Sequence, residues 1–249
     1  MPFRAILFDI GDTLWHSKAA PPADEFRRLA TERAQQFLAA LGITSADPEV
    51  AARSAWDAME AAMRAARLTD QIEPDYAAVS QHALLKEGVL LSRETAGAFL
   101  EAIYVSGIEG GKEPYPEAGF ALAELRKRGF MLATVTNRAI GGDRFRNDMR
   151  EAGLDIGWDL EAVSVEVGYL KPHHAIFDFA LSGLGIGASE ALMVGNSLAE
   201  DIAGAQRLGI ATAWRKSPPD AEGVTPDYSF DDLYQLLAEP ELQRPARVD

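Results

Sequence analysis

The sequence predicts an α/β fold in which a parallel sheet carries an inserted helical domain. Three observations lead to this prediction. Short apolar runs alternate with amphipathic segments that end at glycine, one long block of the first half has only helical periodicity, and 249 residues suffice for a large domain with an insertion. Strands that alternate with helices form parallel sheets with right-handed crossovers.

Five apolar runs have the length and composition of buried strands. They cover residues 4–8, 130–135, 162–165, 191–194 and 210–214. In the segment EAGFALAELRKRG, we expect Phe120, Leu122 and Leu125 to share the buried face of a helix that stops at Gly129. Because functional residues of such sheets gather at the carboxyl ends of the strands, the residues after each run become the candidates for chemistry.

The block from Trp15 to Lys112 interrupts this alternation. Its periodicity predicts helices at 24–41, 48–68, 74–87 and 93–106, separated by Pro or Gly, and it predicts no strand. The series Trp56, Met59 and Met63 is expected to form the core of this block. We therefore predict a core domain of residues 1–14 and 113–249 and a helical cap domain of residues 15–112 that selects the substrate.

Composition excludes several classes of function. The formal net charge of −14 argues against general binding to nucleic acids or anionic membranes, whose phosphates are held by Lys and Arg. The chain has no cysteine, so disulfides, zinc-thiolate sites and thiol catalysis are excluded. It has no targeting segment and no apolar run long enough to cross a membrane, which predicts a soluble, cytoplasmic protein.

Polar residues follow four of the predicted strands. Each has an ordinary structural explanation when taken alone, such as a turn, a helix cap or a surface loop. Their occurrence at successive strand ends favours a common crevice. The candidates are Asp9, Thr136, Asn137, Lys171, Asn196 and Asp201.

Together these residue types suit phosphoryl transfer. The carboxylate of Asp9 can attack phosphorus and form an aspartyl-phosphate. Thr136, with the backbone N–H groups of the following helix, can bind phosphoryl oxygens, and Lys171 can neutralise the nucleophile and the phosphate. Mg²⁺ prefers oxygen ligands and would lie between Asp9 and the loop from Asn196 to Asp201.

The chain resembles the haloacid dehalogenase (HAD) superfamily, in family order and with family-like spacing. The matching segments are FDIGDTL (8–14), VTN (135–137), GYLKPHHAIF (168–177) and MVGNSLAEDIAGAQRLGI (193–210). The resemblance implies a Rossmann-like core with a helical cap inserted after the first strand. It also implies hydrolysis of a small phosphorylated metabolite.

The same resemblance assigns roles to particular residues. Asp9 would be the nucleophile, and Thr136, Asn137 and Lys171 would bind the phosphate. The implied ligands of Mg²⁺ are Asp9, the carbonyl of Gly11, Asn196 and Asp201.

Three positions depart from the family pattern. Gly11 stands where most family phosphatases carry a second Asp that protonates the leaving group and activates water, and Asp12 stands where they carry Gly. Positioned acid–base groups contribute roughly 10²–10⁴ in rate. Asn196 replaces a metal-binding Asp, and fewer carboxylates predict weaker Mg²⁺ binding.

Three functions remain open. The first is a phosphatase whose substrate has a good leaving group, such as an acyl or aryl phosphate, or whose proton comes from Asp12, His16 or the cap. The second is a dehalogenase-like enzyme, although Leu198 stands where the family's dehalogenases carry Asn. The third is a relative of low activity that binds a phosphorylated ligand or a protein partner. The identity of the substrate and the oligomeric state stay open.

Overall fold

The structure is a computed structural model that describes residues 3–17, 23–217 and 223–243. It divides into two compact units. The core unit comprises residues 1–17 and 113–249, and the helical unit comprises residues 18–112. The predicted division into a core and a cap domain, with boundaries at 14/15 and 112/113, stays a prediction.

Eight strands and ten α-helices occur in the described part of the chain. The strands are β1 Ala5–Phe8, β2 Trp15–Ser17, β3 Lys112–Pro114, β4 Met131–Thr136, β5 Leu160–Val163, β6 Ala191–Gly195, β7 Ala211–Arg215 and β8 Tyr228–Phe230. The helices are α1 Ala23–Ala40, α2 Pro48–Arg67, α3 Tyr76–Lys86, α4 Arg93–Ile103, α5 Ala118–Lys127, α6 Gly142–Glu151, α7 Ser164–Val167, α8 His174–Leu184, α9 Ala203–Gln206 and α10 Leu233–Ala238.

Six strands form one sheet in the order β5-β4-β1-β6-β7-β8, and all five pairings are parallel. The first strand of the chain therefore lies inside the sheet, between β4 and β6. Later strands extend the sheet to either side of it, which creates a switch in strand order at β1. The predicted α/β fold with a parallel sheet is confirmed.

Side chains of β1 alternate between the two faces of the sheet, as the pleat requires. Ile6 and Phe8 pack with residues of α5, α6 and α10, whereas Leu7 packs with residues of α8 and α9. Both faces are covered, so every residue of this strand is buried. This is why the parallel strands read as continuous apolar runs rather than as alternating ones.

Helices α1 to α4 form the helical unit. Three of them begin at side-chain caps: Asp47 accepts hydrogen bonds from the start of α2, Asp75 from α3 and Ser92 from α4. Their core is apolar, with Phe99 fully buried and in edge-to-face contact with Phe37. No helix of the described residues is long and apolar enough to span a membrane.

The series predicted as the core of the helical block is only partly buried. Met59 is 4% exposed, whereas Trp56 and Met63 are half-buried. Trp56 meets Phe26 edge to face and lines a cavity of about 300 Å³ between α1 and α2. This face of α2 therefore borders open space as well as packed side chains.

Two predictions about buried faces and strands were wrong. Phe120 is 57% exposed and contacts Tyr234, because the buried face of α5 runs through Ala118, Ala121, Leu122 and Leu125. Residues two apart on a helix lie about 200° apart, so Phe120 and Leu122 cannot share a face. The block from 15 to 112 was predicted without strands, yet β2 and β3 lie at its two ends and pair with each other.

The remaining differences concern the bounds of one strand and the presence of another. The strand predicted at 162–165 lies at 160–163, because the next residues turn into the short helix α7, which ends at Gly168 with a left-handed φ of +89°. Strand β8 was not predicted. It is three residues long and too short to show a periodic pattern.

Candidate active site

The register of the central strands brings the predicted residues to one edge of the sheet. Phe8 pairs with Thr134 on β4 and with Val194 on β6. Asp9 is therefore level with Val135 of β4 and Gly195 of β6, and Thr136 and Asn196 follow one residue further along. Three separate segments of the chain meet beyond the carboxyl end of β1.

A buried lysine joins the two carboxylates of this edge. The Nζ atom of Lys171 lies 2.7 Å from Asp9 Oδ1 and 2.7 Å from Asp201 Oδ1. Lys171 is 2% exposed, Asp201 is 1% exposed and Asp9 is 8% exposed. Burial alone would lower the pKa of Lys171, but the two carboxylates raise it above its usual value. The lysine is therefore an ammonium ion at neutral pH.

Asp201 is held from two sides. Its Oδ2 atom accepts a hydrogen bond from the backbone N–H of Ser197 at 2.9 Å, while its other oxygen faces Lys171. Burial raises the pKa of Asp201, and the charge of Asp9 adds to this effect, while Lys171 opposes it. A Cβ atom on Gly195 would lie 2.3 Å from this carboxylate, so the approach of Asp201 requires glycine at that position.

Thr13 connects two of the predicted residues, and sequence reasoning missed it as a site residue. Its hydroxyl oxygen lies 3.2 Å from Asp9 Oδ2 and 3.4 Å from Asn196 Oδ1. Thr13 is fully buried. The available signal was a hydroxyl residue four positions after Asp9 in the same turn, which is weak without the fold.

Asn137 holds the backbone on either side of the lysine. Its amide nitrogen donates to the carbonyl of Lys171 at 3.1 Å, and its oxygen accepts from the N–H of Lys171 at 2.7 Å. The amide also donates to Glu200 at 3.1 Å. These contacts position the lysine main chain. Thr136, predicted as a phosphate ligand, is 3% exposed at the end of β4.

The turn after Asp9 leaves space where a side chain could stand. A Cβ atom on Gly11 would meet nothing within 4 Å. Asp12 is exposed, has a left-handed φ of +53°, and forms no hydrogen bond or ion pair with any described residue. His16 stacks on Tyr115 with the ring centroids 4.3 Å apart. His174 is exposed and pairs with Asp178, and α8 begins at it.

The residues that could hold a metal ion are oxygen donors. They are the carboxylates of Asp9 and Asp201, the amide oxygen of Asn196 and the carbonyl of Gly11. The described residues contain no group of three or more His, Cys, Asp or Glu placed around one point. Two carboxylates and one ammonium leave a net charge of −1. This donor set suits a hard divalent cation such as Mg²⁺, with few charged ligands to hold it tightly.

A family model and several known proteins are similar to this chain. A family model described as haloacid dehalogenase-like hydrolase matches residues 3–209. The phosphoserine phosphatase of Thermus thermophilus is 38% identical over 125 residues, which are 49% of this chain and 49% of that protein. The glyceraldehyde 3-phosphate phosphatase of Methanopyrus kandleri is 28% identical over 240 residues, 94% of this chain and 95% of that one.

The fold has close structural counterparts. The structure of a 2-haloacid dehalogenase from Pseudomonas syringae pv. Tomato superposes with a TM-score of 0.64 at 23% identity. It covers 96% of this chain and 97% of that one. At this level of identity the likeness concerns the fold. The chain spans about half the length of the first relative above and nearly the whole length of the second.

Proposed function

The chain belongs to the haloacid dehalogenase-like hydrolase family, and on that premise we propose that it is a phosphatase of a small phosphorylated metabolite with Asp9 as its nucleophile. The observation that carries the proposal is the position of Lys171 Nζ, 2.7 Å from both Asp9 Oδ1 and Asp201 Oδ1. A buried ammonium beside a carboxylate at a strand end orients that carboxylate and offsets its negative charge as it approaches an anionic phosphoryl group.

In the proposed first step, a carboxylate oxygen of Asp9 forms a bond to phosphorus while the bond from phosphorus to the leaving oxygen breaks. Thr13 donates a hydrogen bond to Asp9 Oδ2, which orients the carboxylate for this attack. In the second step, water attacks the aspartyl-phosphate, which releases inorganic phosphate and restores Asp9.

The proposed phosphate site uses Lys171, Thr136 and Asn137. Lys171 would balance the charge that develops on the phosphoryl oxygens, and the hydroxyl of Thr136 would donate to one of them. Asn137 would contribute mainly through Lys171, since its amide already binds both backbone groups of that lysine. Such preorganised groups lower the barrier because they need no rearrangement during the reaction.

We propose Mg²⁺ as the cofactor, held by Asp9, the carbonyl of Gly11, Asn196 and Asp201. When bound, it would offset the negative charge of the phosphate and polarise its oxygens. Two features support Mg²⁺ at this site: all of the proposed ligand atoms are oxygens, and Asp9, Asp201 and Lys171 together carry a net charge of −1. Because only two carboxylates contribute, we expect binding weaker than in a site with three.

The substrate is proposed to have a leaving group that departs without a proton. The space beside Gly11 holds no side chain, and Asp12 is exposed. An acyl phosphate fits this condition, because a carboxylate leaves readily as an anion. Alkyl phosphates, whose leaving alkoxides need protonation, should react more slowly.

The test compares phosphate release from acetyl phosphate, p-nitrophenyl phosphate and glycerol 3-phosphate, with Mg²⁺ and with EDTA. We expect turnover in that order of rate, loss of turnover in EDTA, and no turnover by Asp9→Asn. The matched control is Asp231→Asn, an exposed carboxylate of the same unit that pairs with Lys216. No phosphate release above the Asp9→Asn background would refute the proposal, and chloride release from 2-chloropropionate would instead favour a dehalogenase.

A further inference from the structure

We propose that Arg215 and Glu117 are positioning residues that hold the Asp9 loop through Thr13. The inference rests on the proposed function, in that Asp9 is taken as the nucleophile. Both side chains lie in the core unit and take no part in the roles assigned above.

The guanidinium of Arg215 is shared between a carbonyl and a carboxylate. Its Nη1 donates to the backbone carbonyl of Thr13 at 3.2 Å, and its Nη2 donates to Glu117 Oε1 at 2.9 Å. The two charged side chains are 7% and 8% exposed. The planar fork of arginine allows both bonds at once, which the single ammonium of lysine cannot reproduce with the same geometry.

Further contacts fix the orientation of this pair. The guanidinium carbon lies 3.4 Å from the centroid of the Tyr115 ring, and that ring stacks on His16. The same oxygen of Glu117 faces the N–H of Leu233, at the start of α10, at 3.5 Å. The guanidinium of Arg215 is therefore held at its edge by hydrogen bonds and on its face by the Tyr115 ring.

Thr13 links this pair to the nucleophile. Its carbonyl accepts from Arg215, while its hydroxyl donates to Asp9 and also faces Asn196. Both groups belong to one fully buried residue, so fixing the carbonyl restricts where the hydroxyl can point. A chain of direct contacts thus runs from Glu117 through Arg215 and Thr13 to Asp9.

Stability alone gives little reason for this arrangement. Removing a guanidinium and a carboxylate from water is costly, and apolar side chains of similar volume often stabilise a core as well or better. A buried pair that ends on the loop of the nucleophile is more readily explained by the geometry it imposes. Displacements of about 1 Å can cost roughly 10²-fold in rate.

The test is Arg215→Lys, with Arg128→Lys as the matched control. Arg128 also binds a carboxylate, Glu124 at 2.9 Å, and a backbone carbonyl, that of Leu237 at 2.8 Å, but no described contact joins it to the Asp9 loop. We expect Arg215→Lys to lower kcat about 10- to 100-fold with little change in KM. Arg128→Lys should lower the melting temperature without this loss of kcat. Equal kcat values for the two variants would refute the proposal.

A double-mutant cycle separates positioning from general destabilisation. Thr13→Val removes the hydroxyl that carries the effect to Asp9, so adding Arg215→Lys to it should lower kcat much less than in the wild-type background. Fully multiplicative losses would contradict the proposed route. If Arg215→Lys does not fold, Glu117→Gln replaces it in the test. This variant keeps a neutral acceptor for Arg215, so kcat should decrease by less than the 10- to 100-fold expected for Arg215→Lys. An unchanged kcat would count against the proposal.

A crystal structure of Arg215→Lys distinguishes this inference from the proposed function. We expect the Thr13 hydroxyl to have left hydrogen-bonding distance of Asp9. A retained bond refutes the positioning role, whatever the turnover. If the wild-type protein has no phosphatase activity, only the proposed function is refuted. The crystal structure of Arg215→Lys still shows whether the geometry of the Asp9 loop depends on Arg215.

Discussion

The core unit and the helical unit bury different kinds of side chain. Six charged residues are buried in the core unit: Asp9, Glu117, Asp148, Lys171, Asp201 and Arg215. Among the described residues of the helical unit, no charged residue is buried as a whole, although the carboxylate oxygens of Glu73 are buried. The ion pairs of this unit lie at the surface, as in Arg28, which is half exposed and binds Glu25 and Glu32.

Exposed ion pairs and buried charges contribute differently to the stability of a fold and to the geometry of a site. Exposed pairs add little to stability, because water screens them and their side chains lose entropy on pairing. Buried charges are unfavourable unless partners and hydrogen bonds compensate for lost hydration. Four of the six buried charges belong to two groups that reach the Asp9 loop: Lys171 with Asp201 directly, and Arg215 with Glu117 through Thr13. Their clustering supports the proposal that this strand end is the functional region.

Removing the central cation should break the core unit's arrangement most severely. We expect Lys171→Met to lower kcat by about 10²–10³ and to destabilise the fold by about 3–5 kcal/mol at pH 7, because two buried carboxylates lose their cation. Urea unfolding and phosphate-release assays measure the two effects.

The pH dependence of this variant provides its control. Burial already raises the pKa of Asp201, and without the ammonium of Lys171, which opposes this shift, that pKa rises further, so the folded state binds more protons than the unfolded chain. The loss of stability caused by Lys171→Met should therefore be smaller at pH 5 than at pH 7. An equal penalty at both pH values would mean that uncompensated carboxylates are not its cause.

In the helical unit the largest effect should come from an apolar residue. Phe99 is fully buried, and Phe99→Ala should cost about 3–5 kcal/mol of stability through lost packing and the remaining cavity. Leu85→Ala, at a position of α3 that is 52% exposed, is the control and should change stability by less than about 0.5 kcal/mol. Similar losses from both would show that packing is not what stabilises this unit.

A carboxylate added to the core unit at Gly11 tests the role of proton donation. Gly11→Asp should raise the rate on glycerol 3-phosphate relative to acetyl phosphate by about 10- to 100-fold, because the new group can donate a proton to a poor leaving group. The open space at Gly11 admits the side chain. Gly11→Asn has the same size without the acid, and an equal gain from it would exclude proton transfer as the reason.

The smallest effect is expected at the surface of α1. Arg28→Gln removes a cation with two carboxylate partners, yet we expect no resolvable change in the urea midpoint, because the group is exposed. The core counterpart Arg215→Gln should lower the midpoint clearly, since it leaves Glu117 buried without its cation. A comparable decrease in the urea midpoint for Arg28→Gln would mean that exposed and buried charges do not differ in their effect on stability.

Much of the fold followed from local patterns. Buried parallel strands need continuous apolar runs, so all five predicted strands exist, and the four helices of the helical unit begin within two residues of their predicted starts. The short strands β2, β3 and β8 were missed because three residues carry no periodicity. Phe120 was misplaced because its hydrophobicity outweighed its position around the helix.

The order of the strands along the chain, and the polar residues that follow them, including Asp9, Thr136 and Lys171, could be read from local sequence patterns. How these residues are connected depends on contacts between distant parts of the chain. Thr13 contacts Arg215 across 202 positions, and Arg215 contacts Glu117 across 98. Periodicity reports which side of a local element is buried, whereas an ion pair depends on the register and packing of distant strands. For that reason the sequence could suggest Asp9 as the proposed nucleophile, but it could not reveal the buried pair of Arg215 and Glu117.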